Sequence, residues 1–143
     1  MPEKEKANII IAILISILSL LVFYALTILF GLIITFIVAL LMYIPIVSGL
    51  FELFLDLSYT KPEMIVAGAG PLPSAIIVAL IINKITKNNS TSNLTSKITG
   101  TIIIIHQVAA AIINLIADNS ILINFFGIFA GAIIICANKE DWF

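Results

Sequence analysis

Residues 8–57 form one apolar run with no charged side chain before Glu52. As a single helix the run would measure ~75 Å at about 1.5 Å per residue. A bilayer's hydrocarbon core is about 30 Å thick and takes ~20 apolar residues per crossing. The run is therefore expected to fold back on itself, with a turn near Ile28–Gly31. The whole chain agrees in character, at 62% hydrophobic and 10% charged residues. A soluble domain of 143 residues has too little polar surface to cover that much apolar side chain. The expected class is an all-α integral membrane protein, a polytopic helical bundle forming one membrane domain.

Five hydrophobic segments are expected, at about 8–27, 31–57, 64–83, 101–117 and 121–137. The first continues well past the 7–15-residue core of a cleavable signal and reads as a retained span. The fourth and fifth are separated only by Asp118–Ser120, so they should form an antiparallel hairpin. Residues 84–100 are rich in Asn, Ser, Thr and Lys, which predicts a mobile polar loop. Its Asn88, Asn89 and Asn93 begin N-x-S/T triplets, which arise easily by chance in such a stretch.

Segment three contains Gly68, Gly70, Pro71, Pro73 and Ser74 in close succession. Glycine costs about 1 kcal/mol and proline about 3 kcal/mol inside a helix. Two arrangements follow. In one, residues 65–70 descend as an extended arm and a helix from Pro73 returns to the same side. In the other, the segment is a spanning helix kinked at the prolines. Lysine counting favours the first, since cytoplasmic flanks are enriched in basic residues. With five crossings, Lys4, Lys6 and Lys61 oppose Lys84, Lys87, Lys97 and Lys139; with a re-entrant segment three, all seven lie on one side. Four spans plus a re-entrant or Gly/Pro-broken segment are therefore expected, with five spans as the alternative.

Packing faces are legible in the last two segments. Gln107, Ala110, Ala111, Asn114, Ala117 and Asp118 share one helical face, opposite Ile104, Ile105, Val108, Ile112 and Leu115. Ser120, Asn124, Gly127, Gly131 and Asn138 share another. Small residues and amides are what helices use to associate in lipid, where apolar side chains gain nothing by leaving the tails.

Three groups of residues have chemistry to offer. Glu52 and Asp56 lie one helical turn apart and would bind an ion if buried, or face water at the interface. His106 and Gln107 lie inside segment four, where a histidine titrates near neutrality or makes a structural hydrogen bond. The break at Gly68, Gly70, Pro71, Pro73 and Ser74 would aim a helix N-terminus at the membrane middle, as transporters do for anionic groups. The only cysteine is Cys136, so no intrachain disulfide or cysteine cluster exists. No catalytic, metal or cofactor motif occurs, and a net charge of -1 argues against nucleic acid.

The functional expectation is a non-enzymatic subunit of a membrane complex or homo-oligomer, with the lipid bilayer and other membrane subunits as partners. The alternative is a small transporter or channel protomer using the Glu52/Asp56 face and the broken segment. The absence of arginine beside abundant lysine, isoleucine and asparagine resembles an AT-rich genome. That points to the plasma membrane of a prokaryote.

Overall fold

The computed structural model describes residues 2–58, 61–86 and 88–137. Among them are six helices and no strand: α1 (Glu3–Tyr43), α2 (Pro45–Leu57), α3 (Pro62–Ala69), α4 (Pro71–Ile85), α5 (Asn89–Ile116) and α6 (Leu122–Cys136). Three stretches are long and apolar enough to cross a membrane: α1, the combined α3–α4 rod over Pro62–Ile85, and α5. α6 is a shorter apolar helix.

The expected turn at Ile28–Gly31 does not form. α1 runs through it for 41 residues, ~61 Å at about 1.5 Å per residue. The local chemistry explains this. A lone glycine costs a helix only about 1 kcal/mol, and the Gly31 carbonyl also accepts from the Thr35 hydroxyl one turn on at 2.7 Å, within the helix. The chain breaks instead at Ile44, which is extended at φ -87°, ψ 115°. Pro45 follows it, and proline excludes the preceding residue from the helical region. Pro45 then opens α2 at a position where its missing N–H costs nothing.

Segment three is the kinked helix and not the extended re-entrant arm. Residues 65–69 are helical, and Gly70 keeps helical dihedrals at φ -80°, ψ -66° before Pro71 starts α4. Both prolines fall in the first turn of α4, where ring and backbone are compatible. Gly70 is required by a close approach. A Cβ there would lie 2.8 Å from the carbonyl oxygen of Thr27 on α1.

The expected loop at 84–100 is largely helix. Asn88 caps α5, its side-chain oxygen accepting from the Thr91 N–H at 2.6 Å. The first turns of α5 then bury Thr91, Ser92, Thr95, Ser96, Thr99 and Gly100. They serve more than one neighbour: Thr95 meets α1, where Ala12, Ser16 and Ser19 are buried, and Gly100 meets α6. Ser16 Oγ donates to its own Ala12 carbonyl at 2.6 Å and approaches the Thr95 carbonyl at 3.4 Å. Ser92 Oγ donates to Asn83 Oδ1 of α4 at 2.7 Å. Polarity here marks a packing seam between backbones, and composition alone read it as solvated chain.

Four rods form a ring in which α1 neighbours α4 and α5, and α6 neighbours the same two. The Ser16–Thr95 and Tyr24–His106 contacts make α1 and α5 parallel. The Gly100–Gly131 and Gln107–Gly127 approaches make α5 and α6 antiparallel. A core of Phe23, Ala75, Val78, Ile82, Ile103, Ala130 and Ile134 fills the centre. The α5–α6 hairpin is as expected, turning at Asp118, whose φ is 60°. Gly127 and Gly131 are buried against α5, while Ala117 and Asp118 at the end of the expected face are exposed. Asn138 lies outside the described residues.

This ring puts the starts of α1 and α5 and the ends of α4 and α6 at one end. Lys4, Lys6 and Lys84 sit there with Lys97, two turns into α5; Lys61 sits at the other end, before α3. Lys87 and Lys139 lie outside the described residues. The expected grouping of all seven lysines on one side does not hold, because Lys61 lies at the end opposite Lys4, Lys6, Lys84 and Lys97. Segment one merges with the first part of segment two, and segment three need not turn back.

Candidate polar cleft at the helix break

Most side chains in the ring are apolar, so the exceptions carry the chemistry. Tyr43 is the last residue of α1, whereas Tyr24 lies in its middle. The parallel packing of α1 and α5 carries its hydroxyl to His106, where it meets Nδ1 at 2.7 Å. The two rings pack edge-to-face with centroids 5.3 Å apart. With the phenol as donor, Nδ1 is the acceptor and the imidazole hydrogen sits on Nε2.

Gln107 is the next residue on α5 and lies over Gly127 of α6. A Cβ at Gly127 would come within 2.5 Å of the Gln107 amide carbon. The Gln107 side chain therefore lies directly over the α6 backbone at Gly127. Asn124 Nδ2 donates to Gln107 Oε1 at 3.0 Å. Asn114 Nδ2 donates to Asn124 Oδ1 at 2.8 Å. Gln107 Nε2 approaches His106 Nδ1 at 3.5 Å, too long for a strong bond. A chain of polar side chains therefore links α1, α5 and α6 at one level of the bundle.

That level is also the level of the break. Phe23, Tyr24 and Thr27 of α1, Pro71 of α4, His106, Gln107 and Ala110 of α5, and Ile123, Asn124 and Gly127 of α6 surround a cleft of about 230 Å³. All four rods contribute. Phe23, buried in the core, forms part of its wall. No lining residue carries a formal charge at neutral pH with His106 neutral.

The expected site residues separate into two groups. His106, Gln107 and Pro71 come together here. Gly70 lies beside them against Thr27, and Ser74 is buried one turn on, its hydroxyl donating to the Gly70 carbonyl at 2.6 Å. Gly68 packs instead on the Phe126 ring, and Pro73 is half-buried in the first turn of α4. Glu52 and Asp56 do not join the group. Both are exposed on α2, which packs only against α1 to any extent. The break is also a poor anion nest. Pro71 and Pro73 have no N–H, which removes two of the first three donors that a helix start would offer.

Tyr24, Thr27 and Asn124 complete the cleft and were absent from the sequence-based site. A polar hydroxyl deep in an apolar run was the available signal for Tyr24. Nothing in the sequence pairs it with a residue 82 positions away. Among the described residues, no three His, Cys, Asp or Glu side chains come together as metal ligands would. No protein-family model, curated protein or solved structure matches the chain, so its function is argued from its own residues.

Proposed function

We propose that the chain is a multi-pass helical membrane protein without enzymatic activity that works as a subunit of a membrane assembly, a hetero-complex or a homo-oligomer. One observation carries this reading. Along the second half of α1 and one stripe of α2, large apolar side chains project that no described residue covers. Leu32 is 66% exposed, Phe36 65% and Ile46 79%. The helix is also about twice as long as a hydrocarbon core is thick. Tilting absorbs part of such a mismatch, and helix–helix association absorbs more. Residues 28–57 are accordingly the element offered to neighbouring subunits and lipid.

The test is a Phe36→Cys variant in a Cys136→Ser background, crosslinked in native membranes and weighed by mass spectrometry. A crosslinked species heavier than the 15.5 kDa chain is expected. A chain that stays monomeric in membranes and in mild detergent ends the assembly reading. Insertion is tested with single cysteines at Glu5, Lys84 and Lys61. Positions 5 and 84 should label from one side and 61 from the other. The lysine bias makes the first side cytoplasmic, and a prokaryotic plasma membrane fits the composition.

The second reading is a small transporter or channel protomer. The four-helix cleft at Pro71 favours it, because it places polar groups and a helix break at one level of the bundle. Glu52 and Asp56 would serve an ion path in this reading only across an interface between subunits, since α2 stands apart from the cleft.

A further inference from the structure

Helix registers relate the ends of the bundle to the thickness of a bilayer. Thr95 stands beside Ser16 and His106 beside Tyr24, so the turn at Asp118 falls close to the level of Thr35 on α1. Gly70 packs on Thr27, and Pro62, eight residues earlier in that antiparallel rod, reaches the same level. Lys61, Glu63 and Asp118 make that level polar. A hydrocarbon core of about 30 Å takes ~20 residues of helix, which puts its other boundary near Ile15. Asn8 lies a further ~10 Å out, in the outer headgroup layer. By the Gly70–Thr27 register, Lys84 is level with Ile13, ~3 Å outside that boundary.

At that depth α1, the end of α4 and the start of α5 leave a groove of about 480 Å³. Ligand clefts commonly hold ~300–1,000 Å³. The groove changes character with depth. Asn8 and Asn88 are outermost, followed by Thr91, Ile11 and Ile85. Ile15 is deepest, just short of the Ser16–Thr95 contact that closes the floor. Ile11 is 46% exposed and Ile85 49%, so the groove opens sideways, towards lipid. The charge at its level is basic: Lys84 immediately precedes Ile85 and is exposed. Lys4 continues the Asn8–Ile11–Ile15 stripe of α1 one turn further out, and Glu3 and Glu5 turn about 100° to either side of it.

We propose that this groove holds an anionic phospholipid of the surrounding leaflet. Its phosphate lies at the level of Lys84, its headgroup extends towards Asn8 and Asn88, and one acyl chain starts along Ile11, Ile15 and Ile85. Basic pockets between membrane helices on the cytoplasmic side suit such headgroups. The isoleucines accept an acyl chain without gain or loss, because lipid tails are as apolar as they are. Selectivity therefore resides in the headgroup and its charge. The proposal rests on the membrane reading and adds a resident lipid to it.

The full chain in mild detergent is titrated with dioleoyl-phosphatidylglycerol or dioleoyl-phosphatidylcholine. Native mass spectrometry then counts the lipids each chain retains. The first phosphatidylglycerol should be held about fivefold more tightly than phosphatidylcholine. Lys84→Gln should erase that preference and Lys84→Arg should keep it. Lys97→Gln makes the same change of charge on a separate surface with Asn93 and Leu94, and should also keep it. Asn8→Trp, which fills the outer groove from a half-buried position, should remove the tightly held lipid. Equal retention of the two lipids by the parent overturns the site. So does a preference lost equally in Lys84→Gln and Lys97→Gln, one that survives Asn8→Trp, or displacement of the lipid by glycerol phosphate at equal concentration. Such a failure strikes the lipid site and leaves the assembly reading standing, since that is measured separately by the crosslinked mass.

Discussion

On either side of Thr27, α1 is an uncharged apolar helix beyond Lys6, yet the two stretches have opposite fates. Up to Thr27 the helix is a wall of the bundle, and what it buries is Ala12, Ser16, Ser19 and Phe23. Beyond Thr27 it buries nothing fully, although Leu29, Leu32, Ile33, Phe36 and Leu40 are large and apolar. Burial in this molecule follows smallness more closely than hydrophobicity. Where two helix backbones come near, as at Gly100 and Gly131, there is room for a glycine or a hydroxyl and little else. Ser96 Oγ and Thr99 Oγ1 are buried with no hydrogen-bond partner. Their value in the seam is therefore their size. In the proposed membrane setting the arm loses little by staying uncovered, since lipid solvates leucine as well as a protein core does.

α2 repeats the contrast within one helix. Ile46, Leu50, Leu53, Phe54 and Leu57 lie within a narrow stripe and are all exposed. Leu55 points the other way and is buried. Ser48, Glu52 and Asp56 run along a third direction, one turn apart, with both acids exposed. Such a helix suits the boundary between apolar and polar surroundings, with its acids in water.

The sharpest way to break the comparison is to enlarge one glycine in each half. A Cβ at Gly131 would lie 2.7 Å from Ile104 Cγ1 and 2.8 Å from the Gly100 carbonyl, whereas one at Gly31 meets nothing within 4 Å. Gly131→Leu should cost about 1–3 kcal/mol by overpacking. Gly31→Leu should cost nothing, and should gain up to about 1 kcal/mol from helix propensity. Unfolding in mixed micelles followed by circular dichroism reads both. Equal losses would mean that the arm is packed after all.

A smaller difference is expected between a bundle amide and an arm leucine. Asn124→Leu removes the bonds to both Gln107 and Asn114 and should cost about 1–2 kcal/mol, since hydrogen bonds between membrane helices average about 0.6 kcal/mol and reach about 1.7. Leu32→Ala, at an exposed site, should stay within about 0.5 kcal/mol. The same micelle titration applies. An Asn124→Leu variant as stable as the parent would make the polar chain incidental to folding. It would leave the chain's existence to be explained by binding alone.

The smallest effect is expected at the acids. Glu52→Gln combined with Asp56→Asn should leave bundle stability unchanged to about 0.5 kcal/mol, because both side chains are exposed and distant from the ring. Thermal unfolding with and without added cations would measure it. Stabilisation by cations that disappears in the double variant would instead place these acids in an ion site formed between subunits.

Much of the architecture was legible before the structure. The helix break before Pro71 follows from proline's missing N–H and fixed φ. The α5–α6 hairpin and its small-residue faces follow from helical spacing alone. Three readings failed: the loop at 84–100, the turn at Ile28–Gly31 and the extended arm of segment three. Hydropathy reports what a side chain prefers and says nothing about how closely another backbone approaches. Residues 89–100 looked like a loop because they are polar, and they are helix because Ser and Thr are small enough for the α1 seam. The turn at Ile28–Gly31 was expected because a membrane is thin, but nothing local in those residues stops a helix.

The sequence by itself determined that this chain is helical, apolar and built for close helix contacts, because period, composition and proline act locally. Only the tertiary structure decided which apolar residues are covered, and that Tyr24 meets His106 beside Pro71. Those outcomes depend on the parallel alignment of α1 with α5 across 82 residues of chain. That alignment is set by the fit of small side chains along the whole seam and by no single residue in it.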